Sequence, residues 1–78
     1  MVKDGIMSQI LNALVDRYNA QISEAKAVLE IYLNKSVGIG EHPEIVQAIE
    51  MEVAKMAEAQ DKLDTVNQLL NEKEFIQD

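Results

Sequence analysis

The sequence predicts an all-α fold: an antiparallel hairpin of two long helices, over about residues 4–35 and 43–72, that dimerises into a four-helix bundle. Three observations predict it. Two apolar stripes recur at helical spacing, they mirror each other about one point of the chain, and the helix-breaking residues gather at that point.

In the first helix Met7, Leu11, Leu14, Tyr18, Ile22, Ala25, Leu29 and Tyr32 follow one another at steps of 4, 3, 4, 4, 3, 4 and 3 residues. Residues three and four apart share a face of an α-helix, so these side chains form one stripe. The segment "DGIMSQI" offers Asp4 or Ser8 as the N-cap, and Asp4 is preferred because it keeps Met7 in the stripe. The second helix repeats the pattern through Ile45, Ile49, Val53, Met56, Ala59 or Gln60, Leu63, Val66 and Leu70. The tail "NEKEFIQD" is expected to fray.

The stripes are reflections in sequence: residue numbers 7 and 70, 11 and 66, 14 and 63, and 32 and 45 each sum to 77. Folding the chain between Gly38 and Ile39 therefore stacks Leu11 on Val66, Tyr18 on Ala59 and Ala25 on Val53. Each stripe takes seven steps over 25 residues. That is about 3.57 residues per step, between the 3.5 of a left-handed coiled coil and the 3.6 of a straight helix, and it predicts slight supercoiling.

The mirror point falls in "VGIGEHPEI", which holds two of the three glycines, the only proline and the only histidine. A structural turn over residues 36–42 accounts for them. Gly38 supplies a left-handed end to the first helix, Gly40 a second unusual backbone angle and His42 the N-cap, while Pro43 suits the first helical position because its missing N–H is not needed there. Glu44 then sits where the helix dipole favours an acid.

The chain reads as a single domain, 1–78, near the lower limit for a self-sufficient core. It has no cysteine, which excludes a disulfide framework and the usual structural zinc site. One seam also leaves apolar residues uncovered: Ile10, Val28, Ile31 and Leu33 on the first helix and Val46 on the second. These are the predicted dimer face. Small residues at Ala20, Ala25, Ala27, Ala48, Ala54 and Ala57 would allow close approach of helices.

Net charge is −7, and the excess lies in the second half: residues 1–39 carry four bases and four acids, residues 40–78 three bases and ten acids. A polyanion would be repelled there, so nucleic acid is not the expected partner. The alternative, a small dimeric nucleic-acid-binding regulator, would have to use Lys3, Arg17, Lys26 and Lys35 of the first helix. Asn12, Asp16 and Arg17 interrupt the N-terminal segment before it is long enough for a signal peptide or membrane span. The expectation is a soluble protein without membrane contact, cytoplasmic and, if viral, in the host cell or on the virion.

No constellation for chemistry stands out. The GIG of the corner has no preceding strand and no third glycine, and an anion there would meet Glu41 and Glu44. His42 has no second histidine or cysteine to complete a metal or acid–base site. Ser8, Ser23, Ser36 and Thr65 have no base placed near them. The acids Glu50, Glu52, Glu58, Asp61 and Asp64 lack an EF-hand pattern, and Glu58 is set to pair with Lys62 one turn on. Tyr18 and Tyr32 belong to the seam, with their hydroxyls at its rim. The expectation is no enzyme, with no catalytic residue, no cofactor and no metal.

The corner "NKSVGIGEHPEI", with "LVDRYNAQISEAKAVLEIYL" before it and "AEAQDKLDTVNQLL" after it, resembles small helical proteins of contractile-tailed marine cyanophages and marine metagenomes. Their pattern is helix, V-G-[IV]-G-[ED]-H, helix, and its distinctive part here is Val37 to His42. The resemblance implies a viral origin and an accessory role. It supplies no reaction, ligand or catalytic residue. The expected function is a non-enzymatic phage accessory or structural protein–protein interaction module, which pairs with itself and presents an acidic helical surface or an apolar groove to a protein partner.

Overall fold

The structure, a computed structural model, describes residues 5–34 and 43–72. Two helices make it up, α1 (Ile6–Asn34) and α2 (Pro43–Leu70), packed against each other, and no strand occurs among the described residues. Their antiparallel course shows in the contacts. Lys62 lies over Tyr18, and higher on α1 Val28 shares a groove with Glu52, so position on α2 falls as position on α1 rises. The result is a rod, with Cα extents of 58 × 16 × 13 Å.

Helix ends follow local hydrogen bonding. The Gln9 N–H donates to the Gly5 carbonyl at 3.1 Å. The Gly5 carbonyl thus accepts a bond of the first turn of α1, while the expected N-cap Asp4 lies outside the described residues. Ser8 is already inside α1, where its carbonyl accepts from Asn12 Nδ2 at 2.9 Å. α2 opens on Pro43 with Glu44 in its first turn, as the sequence predicts. It ends at Leu70, two residues before the expected boundary: the Asn71 N–H is shared between the Asn67 and Gln68 carbonyls at 3.2 and 3.1 Å, and the Glu72 N–H donates to Leu69 at 3.1 Å. Such a tightening to three-residue bonds is how the last carbonyls of a helix find donors. The predicted turn residues Gly38, Gly40 and His42 lie outside the described residues, as do Lys3, Asp4, Lys35, Ser36, Glu41 and the tail from 73.

The seam is the predicted one with a corrected register. Leu11, Ala25, Ala59, Leu63 and Val66 are buried, and Tyr18, Ile22, Leu29, Tyr32, Ile45, Ile49, Met56 and Leu70 are half-buried. Val53, expected in the stripe, is 50% exposed, and Glu52 takes its place. Met7 is exposed while Ser8 is half-buried, Val15 shares its layer with Leu14, and of the pair Ala59 and Gln60 the alanine faces inward. One cause explains these shifts. Burial runs through 11, 15, 18, 22, 25, 29 and 32 on α1 and through 45, 49, 52, 56, 59, 63, 66 and 70 on α2, alternating steps of four and three. That is a strict heptad, an average of 3.5, the repeat of a left-handed coiled coil.

Candidate functional site

Ala25, the smallest side chain of its stretch of the seam, leaves a gap between the helices that opens to one side as a groove of 390 Å³. Ala25 and Val28 are its apolar lining from α1, with Gln21 and Glu24 on the lip. Glu52, Lys55, Glu58 and Lys62 form the α2 wall.

The wall's charges satisfy one another. Glu52 has a side chain only 14% exposed, and its carboxylate accepts a bond from Lys55 Nζ at 3.1 Å. Its methylenes lie in the seam while its charge reaches the groove. Lys62 Nζ is 3.4 Å from Glu58 and 6.0 Å from the centroid of the Tyr18 ring, where its charge meets the negative face of the aromatic system. Acid and base alternate along this wall, which leaves no single-sign field to attract a charged ligand. On the other side of the groove, Glu24 forms no ion pair among the described residues.

The five predicted dimer-face residues divide between two faces. Ile10 and Ile31 are 53% and 59% exposed and stand two heptads and one heptad from Glu24, so they extend the α1 lip in line with it. Val28 is half-buried in the groove beside them. Leu33 and Val46 are exposed as well, but Leu33 is nine residues from Glu24 and Val46 nine from Lys55. Nine residues turn a helix through about two and a half turns, which puts both on the opposite side of the rod. The basic residues divide in the same way. Arg17, one heptad from Glu24, is on the lip, and Lys26, nine residues from Arg17, points the other way.

Thr65 Oγ1 donates to the Asp61 carbonyl at 3.0 Å, and Gln60 Nε2 donates to Asp64 at 3.1 Å, so these polar groups of α2 serve their own helix. Among the described residues no group of three His, Cys, Asp or Glu is placed to hold a metal ion, and no helix is long and apolar enough to cross a membrane. The residue that sequence reasoning missed is Glu52. Its signal was present: it lies seven residues after Ile45 and seven before Ala59, both of them inward-facing. Comparison with family models, with curated proteins and with solved structures found no match to this chain.

Proposed function

We propose that this chain is a non-enzymatic interaction module that works as a dimer of hairpins, a four-helix bundle whose acidic outer surface meets a protein partner. The observation that carries the reading is the balance of apolar surface. Among the described residues five are buried, three of them alanine or valine, whereas eight large apolar side chains are exposed at 36–70%. A two-layer rod of this kind has one seam to bury side chains in, and an apolar set this size beside it marks an interface. The resemblance of the corner to cyanophage proteins supports a viral accessory or structural setting, in the host cytoplasm or on the particle. The nucleic-acid alternative is weaker, because Arg17 and Lys26 project from opposite sides of α1 and make no common basic face.

Sedimentation and thermal unfolding test the dimer together. A dimer sediments at twice the chain mass at micromolar concentration, and its unfolding midpoint rises with concentration because association stabilises the folded state by mass action. A fully helical monomer with a concentration-independent midpoint would refute the reading. Mass spectrometry of purified particles against infected-cell extract then separates a structural from a cytoplasmic role.

A further inference from the structure

The α1 lip has a property that goes beyond exposure: it is complementary to itself when reversed. Along it, at heptad spacing, stand Ile10, Arg17, Glu24 and Ile31. Numbers 10 and 31 sum to 41, and so do 17 and 24. Two copies of α1 laid antiparallel therefore bring each isoleucine to the other isoleucine and each charge to the opposite charge.

We propose that a second copy of this chain docks along this lip, α1 against α1, antiparallel, about a two-fold axis at the level of Ala20 and Gln21. This rests on the dimer reading above and specifies its face and register. Ile10 packs against the partner's Ile31, Arg17 pairs with the partner's Glu24, and symmetry repeats both contacts.

The charges select this arrangement. Within the hairpin Arg17 and Glu24 are about 10.5 Å apart along the axis, too far to bond each other. Neither has an opposite charge three or four residues away, and neither forms an ion pair among the described residues. Sliding the partner by one heptad in one direction puts Arg17 against its own copy, and in the other direction puts Glu24 against its own copy. A parallel pairing does both at once. Each of these three alternatives thus sets like charges together, the device that fixes partner orientation in coiled coils. The contact spans about 31 Å from Ile10 to Ile31, and Ala13, Ala20 and Ala27, all exposed on the outer flank, add no bulk to hold the helices apart.

Charge reversal tests the register in the full-length chain. Arg17→Glu alone and Glu24→Arg alone each create two like-charge contacts per dimer, and each weakens dimerisation about tenfold at low salt. An equimolar mixture of the two single variants restores it, because the heterodimer has opposite charges at both sites, and the double variant R17E/E24R restores it within one chain. Both positions are exposed, and circular dichroism checks that the helices persist. If wild type is dimeric but the single reversals leave the dissociation constant unchanged, or the mixture shows no rescue, the α1–α1 register is overturned and the dimer stands. If wild type is monomeric, the dimer reading itself fails.

Discussion

Replacing Glu52 by leucine should stabilise the protein, because Glu52 occupies a seam position with a side chain only 14% exposed. Two of its methylenes already lie where a leucine's carbons would. The gain comes from the rest: roughly one to two further carbons are withdrawn from water at about 0.8 kcal/mol each, and a carboxylate no longer has to be kept near an apolar seam. Against this stands the loss of the Lys55 pair, which is worth under about 1 kcal/mol because the lysine is largely solvated. The net is about 1 kcal/mol in favour of leucine, a rise of about 4–8 °C in the unfolding midpoint of a domain this small. Val53→Ser is the control. At 50% exposure Val53 lies outside the seam, and its replacement should change stability by no more than about 0.5 kcal/mol. Thermal melts followed by circular dichroism, at one fixed protein concentration, measure both. A destabilised E52L, or a V53S that costs as much as a core truncation, would refute the heptad register and restore the 49–53–56 stripe.

Truncating Leu63, buried at 8% exposure, should cost about 2–5 kcal/mol and melt the hairpin well below wild type, read in the same assay. Enlarging Ala59 to leucine, at a site 2% exposed, should cost about 1–3 kcal/mol by forcing the helices apart, with no matching change in association. Replacing Ile10 by aspartate leaves the seam untouched and should shift sedimentation towards monomer, whereas the double change Leu33→Ser and Val46→Ser, on the opposite side of the rod, should leave the dimer intact.

Helix type, number and direction were legible in the sequence because they depend on where the apolar residues fall relative to one another and on the punctuation at Pro43. The register was less so. A list of apolar positions admits both 53 and 52 as the step between Ile49 and Met56, and apolarity chose valine. Geometry chose the glutamate, since only position 52 keeps the alternation of four and three that lets both helices stay in contact along their length. The candidate dimer-face residues were chosen by asking what the stripe left uncovered, a question that does not ask which side of the helix each one is on. Nine-residue separations, as between Glu24 and Leu33, supply that answer.

The charge distribution gives the two helices different tasks in such a dimer. α1 carries two bases, Arg17 and Lys26, against three acids, Asp16, Glu24 and Glu30, and so has a net charge of −1. α2 carries Lys55 and Lys62 against Glu44, Glu50, Glu52, Glu58, Asp61 and Asp64, a net charge of −4. Bringing two copies of α2 together would set −4 against −4 across a narrow seam, while two copies of α1 meet at −1 each with their lip charges cancelled in pairs. Self-association through α1 is therefore the arrangement with the least repulsion, and it turns both acidic helices outward. An acidic surface so displayed raises the encounter rate of a basic protein and repels nucleic acid, with both effects fading as salt shortens the screening length to about 10 Å at 0.1 M. In the proposed dimer, the same asymmetry that would select α1 as the shared face would thus set which class of partner the remaining surface could attract.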